Sequence, residues 1–394
     1  MREPHRLHEI QDALTAAQID GWLLYDFKGC NPIAAGMLGF EGLSSRRALA
    51  WIPAQGTPVA LMHAIELDAW RLWPSTWGRR VYQSWQSLES EIHSLVNGRR
   101  VAMEYSPGDA VPYLDRVPAG VIEMVRASGA TVVTSAELVT RFYAVLSANQ
   151  LAAHRRAAEI IAQIGPAAQR RAADAARADS PLTEFAVQQW IVAQFDVHGL
   201  ITSHPPNVSV GANSANPHYE PAIDRHALIT MDQVLLIDLW AGEPGQPFAD
   251  QTWMCTIGDP IDADIAPVWN AIREARDAAI ALVRAAGVTG LALRGAAVDD
   301  AARAIISARG YGSAFTHRTG HSIDARDLHG AGPHMDGFET REERTLLPGV
   351  LFSIEPGIYF TGRFGMRTEV NVAITSDGDV EVTPSAIQKE LLRL

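Results

Sequence analysis

Short apolar runs alternate with helix-like periodicity along the first part of the chain. Strand-like runs occupy residues 21–25, 47–52, 58–62, 100–103 and 131–134, and apolar side chains at helical spacing mark residues 5–21 and 87–96. This alternation of strand and helix predicts an α/β domain over residues 1–146. No Gly-x-Gly-x-x-Gly loop occurs in this region, so the sequence does not support a nucleotide-binding role for it.

A change in composition marks the start of the second region. Residues 147–178 are rich in Ala, Arg and Gln and predict a long helix, in which Pro166 is a candidate break point because proline has no amide hydrogen. A second helix is predicted over residues 183–195, with Ser180 or Thr183 as its N-cap. The stretch that follows, around Asn207 and Gly211, has the composition of turns. We therefore place the domain boundary between residues 146 and 147.

The remainder of the chain combines helices with strands that are close enough to form hairpins. Strands are predicted over residues 234–240 and 252–257, on either side of a loop rich in Gly and Pro, and again over residues 350–354 and 369–375. Helices are predicted over residues 265–286 and 296–309. Helix pairs among antiparallel strands indicate an α+β catalytic domain over residues 147–394.

Composition and charge exclude several classes of protein. The 394 residues are 47% hydrophobic and 20% charged, as expected of a globular enzyme that can bury a sizeable core, and the net charge is −12. No cluster of Lys and Arg is interleaved with aromatic residues, so we expect no nucleic-acid partner. No run approaches the ~18 apolar residues of a membrane helix, and no apolar segment follows the N-terminus, so we expect a cytoplasmic protein. Cys30 and Cys255 lie in different predicted domains, which argues against a disulfide and a cysteine metal site.

Five potential metal ligands follow one another in the last 160 residues: Asp238, Asp250, His321, Glu355 and Glu369. Four carboxylates and one imidazole are the ligands that a protein needs to hold two divalent cations side by side. A single Asp at a strand end is usually a turn or cap residue, but the ordered set favours metal binding. This oxygen-rich set suits Mn²⁺ best, with Co²⁺ and Zn²⁺ as alternatives.

The predicted positions of these ligands support that interpretation. Asp238 and Asp250 flank the loop of one predicted hairpin, which would bring the two carboxylates together, and two ionised carboxylates close together repel each other unless a cation lies between them. Glu355 lies between Ile354 and Pro356 at the end of an apolar run, so a buried Glu355 requires a partner.

Four histidines form a second candidate group: His218, His317, His321 and His329. His317 and His321 are four residues apart, which on a helix would place them on one face, but Thr319-Gly320 between them favours a turn or a strand. A single histidine is usually a satisfied polar group. Four of them in the half of the chain that holds the carboxylates favour a functional role.

These residues occur in motifs that resemble a known family. Asn-Pro-His218-Tyr, His317-Arg-Thr-Gly-His321, Ile-Glu355-Pro-Gly and Arg367-Thr-Glu369 are similar to motifs of the creatinase, aminopeptidase P and prolidase family of pita-bread metallopeptidases. The resemblance covers essentially the whole chain, with specific motifs in the second region and only a general likeness in the first. It implies an α/β N-terminal domain followed by an α+β pita-bread catalytic domain.

The resemblance also implies a role for each residue. Asp238 and Asp250 would bind one metal ion, with Asp250 bridging to the second. His321 and Glu355 would complete the second site, and Glu369 would bridge. A hydroxide between the two ions would attack the carbonyl group before proline. Further roles would be proton shuttling by Glu355, stabilisation of the intermediate by His218 and His329, substrate contact by His317, and orientation of the ligand carboxylates by Arg367.

Three features depart from the family pattern. Asp238 and Asp250 are 12 positions apart, one more than usual, and no Tyr precedes Asp250. His321 and His329 are eight positions apart, again one more than usual, and Gly330 replaces an acidic residue that often follows the second His. We expect the loop of residues 324–327 to accommodate this insertion.

The resemblance leaves several activities open. A prolidase cleaves only dipeptides that end in proline, whereas an aminopeptidase P removes the first residue of longer Xaa-Pro peptides. The distinction depends on a group that binds the proline carboxylate, for which the candidates are Arg318, Arg326, Arg363, His334 and residues of a partner subunit. The length of the chain favours the dipeptidase, with small proline-containing peptides as substrates and a homodimer as the assembly.

Other members of the same fold fit less well. A creatinase-like amidinohydrolase acts without metal ions and would not require the ligand set. Methionine aminopeptidases lack the first 145 residues, and non-catalytic peptide-binding modules are expected to have lost ligands that this chain retains.

Overall fold

The structure is a computed structural model that describes residues 4–39, 45–260 and 262–394. The chain divides into two compact units, Met1–Tyr143 and Ala144–Leu394. The sequence analysis placed the boundary three residues later, between residues 146 and 147.

The first unit is an α/β domain built on one six-stranded sheet. The strands are β1 (Gly21–Asp26), β2 (Ala48–Pro53), β3 (Val59–His63), β4 (Gly78–Tyr82), β5 (Arg100–Met103) and β6 (Thr131–Thr134), in the order β4-β3-β2-β1-β5-β6. The helices are α1 (Pro4–Ala16), α2 (Pro32–Leu38), α3 (Trp85–Val96), α4 (Ala119–Ala127) and α5 (Ala136–Val139). Strands β1, β5 and β6 run parallel, whereas β2 is antiparallel to both of its neighbours.

The core of this unit follows the alternation that the sequence shows. Leu23 and Tyr25 of β1, Leu49 of β2 and Val101 of β5 pack against apolar side chains of α3 and α4. Strand β4 was not predicted, because it contains two adjacent arginines and lies at the edge of the sheet, where every second side chain is more exposed.

Within the described residues, the second unit holds four α-helices and ten strands. The helices are α6 (Ala148–Arg177), α7 (Glu184–Val197), α8 (Ile265–Thr289) and α9 (Gly295–Ala308). The strands are β7 (Asn207–Val210), β8 (Gln233–Ala241), β9 (Ala249–Ile257), β10 (Ser322–Ile323), β11 (Leu351–Ile354), β12 (Gly357–Phe360), β13 (Phe364–Arg367), β14 (Val370–Ile374), β15 (Val380–Thr383) and β16 (Leu392–Arg393). They form sheets in the orders β16-β9-β8-β7 and β10-β11-β14-β15, with β12 and β13 as a separate hairpin.

Helix α6 continues through the proline that was a candidate break point. Ser147 caps its first turn in a capping box with Gln150, and a row of buried alanines packs along the helix. Gly165, just before Pro166, lies so close to Trp253 that an added Cβ would be 2.6 Å from its ring. Tertiary packing of the buried face therefore outweighs the cost of proline within the helix.

Strand β8 contributes apolar side chains to a different cluster on each of its faces, and the face that carries Val234 and Leu236 also carries Asp238. Val208, Val210 and Ile237 belong to an apolar cluster that includes side chains of α6 and α7. Side chains such as Asp238 face the opposite side, because neighbouring residues of a strand alternate between faces. The prediction that Asn207 lies in a turn was wrong, since Asn207 is the first residue of β7.

None of the helices in the described residues combines the length and the hydropathy needed to cross a membrane.

Candidate metal centre

Strands β8 and β9 bring Asp238 and Asp250 onto one face of the sheet. Asp250 pairs with Trp240 and Asp238 pairs with Thr252 in the antiparallel ladder. Because Asp238 and Trp240 are two residues apart, their side chains point to the same face, and so do those of Asp250 and Thr252. Both aspartates are buried, so this hairpin places two carboxylates side by side away from solvent.

His321 and Glu355 lie at the ends of two further paired strands. His321 immediately precedes β10, and Glu355 immediately follows β11. Ser353 connects the two residues: its Oγ accepts the His321 backbone N–H at 2.9 Å and donates to Glu355 Oε1 at 3.0 Å. His321 Nδ1 lies 3.2 Å from the Ser322 carbonyl oxygen, which assigns the ring proton to Nδ1 and leaves Nε2 as a potential ligand atom.

Glu369 enters the same space from the start of β14. Its Oε2 accepts a hydrogen bond of 2.7 Å from Thr252 Oγ1, and Arg367 Nε donates to the same hydroxyl at 2.8 Å. The Arg367 guanidinium forms an ion pair with Asp238 and lies 3.7 Å from an oxygen of Glu355 and 3.7 Å from an oxygen of Glu369. Arg367 was predicted at this site from the sequence, whereas Thr252 was not. The Thr252 hydroxyl donates to Glu369, a predicted metal ligand, in a site that has no Tyr before Asp250.

The five predicted ligands converge on one buried space. One potential ligand atom each from Asp250, His321 and Glu369 lies within 4.8 Å of the others. His321 Nε2 is 3.3 Å from Asp250 Oδ2 and 3.5 Å from Glu355 Oε1, and Arg367 joins Asp238 to the group. All five ligand side chains are buried.

The protonation equilibria in this cluster reflect crowded negative charge. Burial raises the pKa of Asp238 to about 6; the Arg367 charge opposes this rise, and the Asp250 charge adds to it. Burial and the charges of Asp250 and Glu355 raise the pKa of Glu369 well above its ordinary value. Glu355 is the exception. Burial raises its pKa, but the opposing effect of the His321 and Arg367 charges is larger, so the pKa of Glu355 falls to about 2. More positive charge than one arginine provides is needed to keep all four carboxylates ionised.

Two oxygens of the cluster also lack donors. Asp250 Oδ1 and Glu369 Oε1 are buried and have no hydrogen-bond partner among the described residues. A buried acceptor without a donor is costly, and a cation satisfies carboxylate oxygens directly. The donor set, its crowding and these two oxygens therefore fit divalent metal ions.

His329 lies beside the cluster on a loop that Asp324 organises. Its ring centroid is 4.2 Å from that of His321, and the charge of His321 together with burial lowers the pKa of His329 to about 3. His329 is therefore neutral near pH 7 and retains one ring N–H donor.

The glycine after His329 follows from the geometry of the same loop. The Asp324 carboxylate accepts backbone N–H groups of Arg326, Asp327 and Ala331 at 2.8–3.0 Å. A Cβ added at Gly330 would lie 2.7 Å from the Asp324 backbone nitrogen, so a larger residue would displace this loop. The lack of an acidic residue at position 330 is thus a packing requirement of this loop.

His317 is held by contacts on both ring nitrogens. Nε2 lies 2.9 Å from the Tyr359 hydroxyl and Nδ1 lies 2.7 Å from the Arg318 carbonyl oxygen, and burial lowers the pKa of His317 to about 4. The residue is not on a helix, as Thr319-Gly320 indicated.

A carboxylate on α9 holds the segment that connects His317 and His321. Asp299 accepts both the backbone N–H and the hydroxyl of Thr319, at 2.9 and 2.6 Å. Arg303, paired with Asp299, donates to the His317 carbonyl oxygen at 2.8 Å. Nothing in the sequence analysis singled out Asp299 or Arg303, because their role depends on contacts with residues far along the chain.

His218 is exposed and lies on a segment anchored by another buried carboxylate. Glu184, at the start of α7, accepts hydrogen bonds from Val210 N, Asn213 Nδ2, Tyr219 Oη and Ala227 N at 2.7–3.1 Å. Of the predicted catalytic residues, His218 is the one that forms no hydrogen bond, ion pair or ring contact with the cluster within the described residues, although its charge contributes to the lowered pKa of His329.

Two of the candidate carboxylate-binding residues differ clearly in their surroundings. Arg363 lies on the hairpin of β12 and β13 and pairs with Asp262 and Asp264, each at 2.7 Å. The charge of Arg318, in contrast, lowers the pKa of both Glu355 and His329, so Arg318 acts electrostatically on the centre itself. The charge distribution therefore favours Arg318 over Arg363 as the candidate.

Sequence comparison finds relatives that are named as dipeptidases. The chain is 36% identical over 177 residues to a probable dipeptidase PepE of Mycobacterium tuberculosis, a match that covers 44% of this chain and 43% of that protein. It is 34% identical over 171 residues to a Xaa-Pro dipeptidase of Lactobacillus helveticus, which covers 43% and 42% of the two chains. These matches therefore span less than half of each curated relative.

The fold comparison covers nearly the entire chain. The crystal structure of dipeptidase PepE from Mycobacterium ulcerans superposes with a TM-score of 0.73 at 22% identity, over 99% of this chain and 97% of that one. This likeness confirms the predicted fold, an α/β N-terminal domain followed by a pita-bread catalytic domain. The model of metallopeptidase family M24 matches residues 152–376, more than half of the chain. The protein belongs to metallopeptidase family M24.

Proposed function

We propose that this protein is a metal-dependent dipeptidase that hydrolyses the peptide bond before proline in Xaa-Pro dipeptides. The observation that carries the proposal is a buried cluster in which Asp250, His321 and Glu369 place ligand atoms within 4.8 Å of one another and two carboxylate oxygens have no donor among the described residues. The names of the two curated relatives, a probable dipeptidase and a Xaa-Pro dipeptidase, supply the substrate class.

The ligand set is suited to two metal ions. Asp238 and Asp250 would hold one ion, His321 and Glu355 the other, and Asp250 and Glu369 would be shared. The hard, oxygen-rich donors favour Mn²⁺ over Co²⁺ or Zn²⁺. When bound, such ions supply Lewis-acid polarisation of the substrate carbonyl group and lower the pKa of water.

The side chains around the ligands would divide the remaining work. Glu355 would take a proton from the attacking water and return it to the leaving imino nitrogen. His329, neutral near pH 7, has an N–H that can donate to the oxyanion, and His218 would assist from its segment beside Tyr219. Arg367 would keep Asp238 ionised and oriented through their ion pair. His317, fixed by Tyr359 and the Arg318 carbonyl, would contact the substrate.

The length of the preferred peptide depends on recognition of the proline carboxylate. Arg318 is the candidate, because its charge already acts on Glu355 and His329. A salt bridge to a carboxylate directly after proline would favour dipeptides. The alternative is an aminopeptidase P that removes the first residue of Xaa-Pro-Yaa peptides.

One comparison of substrates tests the proposal. Hydrolysis of Ala-Pro and of Ala-Pro-Ala is measured with metal-free protein, before and after addition of Mn²⁺. Metal-dependent cleavage of Ala-Pro alone is the expected result. Cleavage of the tripeptide would establish the aminopeptidase alternative, and activity without metal would favour a creatinase-like mechanism.

Assembly and location are part of the same proposal. By resemblance to the family we expect a homodimer, and light scattering that gives the mass of a monomer would contradict this. A cytoplasmic location is expected from the sequence, and cell fractionation tests it.

A further inference from the structure

Two hydrogen bonds that involve side chains join β9 to the start of β14. Asp250 N donates to Asn371 Oδ1 at 2.9 Å, and Thr252 Oγ1 donates to Glu369 Oε2 at 2.7 Å. Strands β9 and β14 belong to different sheets, so the backbone ladders of the two sheets do not set the distance between them. Each bond includes a predicted metal ligand, and the first one holds the backbone of Asp250, the ligand that two ions would share.

The Asn371 amide takes the place of a neighbouring strand beside Asp250. Asp250 lies opposite Trp240 of β8, yet its N–H donates to the Asn371 side chain. On the other side of β9, strand β16 pairs with Cys255 and Thr256, further along the strand. A buried backbone N–H requires an acceptor, and the Asn371 amide supplies one where β16 does not reach.

The orientation of the buried Asn371 amide follows from this bond. A backbone N–H donates, so the atom that accepts it is Oδ1 and the other end of the amide is the NH₂ group. Nδ2 has no hydrogen-bond partner among the residues that the structure describes. The hydrogen bond that the amide makes within those residues is therefore the one to Asp250. An asparagine supplies this acceptor without adding a fifth negative charge to four crowded carboxylates.

The same strand carries the second ligand that two ions would share. Glu369 lies directly before β14 and Asn371 lies two residues later, so both side chains point to one face. Potential ligand atoms of Asp250 and Glu369 are within 4.8 Å of each other. A bond from Asn371 to the Asp250 backbone therefore sets the separation of these two ligands.

We propose that Asn371 is a positioning residue that fixes Asp250 for metal binding by anchoring its backbone to the second sheet. This inference rests on the proposed metal-dependent function and deepens it, because it assigns a residue that acts on the metal ions through one of their ligands. Loss of the anchor lets β9 shift relative to β14, and a site for two ions requires ligands that are held precisely.

Two buried amides beside Asp250 give a variant and its matched control. Asn371→Ala removes the acceptor of the Asp250 N–H. Gln251→Ala is the control, because Gln251 is buried, follows Asp250 on β9, and bonds to the Ala158 carbonyl oxygen of α6 and to Trp253 Nε1. Mn²⁺ affinity is measured by isothermal titration calorimetry on metal-free protein. KM and kcat for Ala-Pro are measured at saturating Mn²⁺, and the melting temperature is measured without metal.

The expected result separates positioning from stability. Asn371→Ala weakens Mn²⁺ binding by about 10- to 100-fold, the range for loss of a group that orients a metal ligand, and lowers kcat with little change in KM. Both variants lower the melting temperature, but Gln251→Ala keeps the wild-type Mn²⁺ affinity. Asn371→Asp retains an oxygen that accepts the Asp250 N–H and should bind Mn²⁺ at least as tightly as the wild type. If the alanine variant does not fold, Asn371→Leu fills the same space without an acceptor and gives the same comparison.

Three results would overturn the inference: wild-type Mn²⁺ affinity in Asn371→Ala, an equal loss of affinity in Gln251→Ala, or a loss in Asn371→Asp as large as that in Asn371→Ala. Failure of the proposed function gives a different result. If the wild-type protein binds Mn²⁺ but does not hydrolyse Ala-Pro, the dipeptidase proposal fails, and a selective loss of Mn²⁺ affinity in Asn371→Ala still supports the inference. If the wild-type protein hydrolyses Ala-Pro but binds no Mn²⁺, the inference fails.

Discussion

Two buried glutamates that look alike in the sequence have opposite surroundings in the structure. Glu104 follows the apolar residues of β5 in the first unit, and Glu355 follows those of β11 in the second. Three side chains donate to Glu104: Trp22 Nε1 at 2.6 Å, Asn31 Nδ2 at 2.7 Å and Ser135 Oγ at 3.1 Å. Both of its oxygens are therefore satisfied by neutral donors of the protein.

Glu355 instead belongs to a group of carboxylates that the protein leaves short of donors. Ser353 donates one hydrogen bond to it, and its other close neighbours are charged or titratable side chains. Nearby, Asp250 and Glu369 each keep one oxygen without a donor in the described residues. A buried carboxylate whose oxygens all accept hydrogen bonds from the protein has a structural role, whereas buried carboxylates that lack donors are suited to bind a metal ion.

The largest expected effect comes from removing a carboxylate of the group that is short of donors. Glu355→Ala should reduce kcat/KM for Ala-Pro by more than about 10³-fold, because it removes both a metal ligand and the proton shuttle. The melting temperature and circular dichroism check that the variant is folded. A folded Glu355→Ala protein with wild-type turnover would refute the site assignment.

Two buried histidines of the second unit, His321 and His154, differ in the same way, and the difference predicts how stability depends on pH. His321 has a nitrogen available as a ligand, whereas both nitrogens of His154 lie 2.9 Å from protein oxygens, of Phe248 and Thr383. Burial lowers the pKa of His154 to about 4, from an ordinary value of 6.5. Between these two pH values the unfolded chain binds a proton that the folded protein does not, so the free energy of unfolding falls as pH falls.

The size of this effect is about 3 kcal/mol over that interval, and His154 contributes no pH dependence above pH 6.5. Urea unfolding between pH 7.5 and pH 4.5 measures it. His154→Gln retains a polar side chain that does not titrate, and its stability should fall less steeply. Identical pH profiles for the two proteins would show that His154 is not the source.

Removing Glu104, whose carboxylate oxygens are satisfied by donors of the protein, should lower stability and leave metal binding intact. Glu104→Ala leaves buried Trp22, Asn31 and Ser135 donors unpaired, at a cost of about 2 kcal/mol in the free energy of unfolding. Urea titration measures this loss, and Mn²⁺ affinity of the folded variant should equal that of the wild-type protein. Glu104→Gln, which keeps an acceptor, is the control and should lose less. Weaker Mn²⁺ binding by Glu104→Ala would break the distinction between the two kinds of carboxylate.

The smallest expected effect concerns a buried carboxylate that holds a segment in place. Glu184→Gln replaces an acceptor of four donors, so the segment that carries His218 should be less well ordered. We expect kcat/KM for Ala-Pro to fall about 10-fold, mainly through kcat, with Mn²⁺ affinity unchanged. A fall that merely parallels a lower melting temperature would mean that Glu184 acts on stability alone.

The sequence predicted the four α-helices of the second unit and its strands β8, β9, β11 and β14, because their apolar periodicity is strong. Thr183, one of the two predicted N-cap candidates, caps α7, and Ser147 caps α6. Strands β12 and β13 were missed, since Pro356-Gly357 and Gly362 resemble loop residues. The uninterrupted helix at Pro166 could not be predicted, because it depends on packing against distant residues such as Trp253.

The predicted metal ligands were identifiable because they form an ordered set of four carboxylates and one histidine, three of which lie in motifs that resemble the family. The residues that surround these ligands were not identifiable from the sequence. Thr252 reaches the centre through the register of β8 and β9, and a shift of one residue would turn its side chain to the other face. Asp299 and Glu184 accept hydrogen bonds from residues 20 and 43 positions further along the chain, and local sequence patterns do not encode contacts at such separations.

The most direct test of the account is the number of Mn²⁺ ions that bind to metal-free protein, measured by isothermal titration calorimetry and confirmed by elemental analysis. The account predicts two ions per chain for the wild-type protein and for Glu104→Ala, and fewer for Asp250→Asn, which alters a shared ligand. A wild-type protein that binds no Mn²⁺, or an Asp250→Asn variant that binds as the wild type does, would contradict the claim that these carboxylates are held for metal ions.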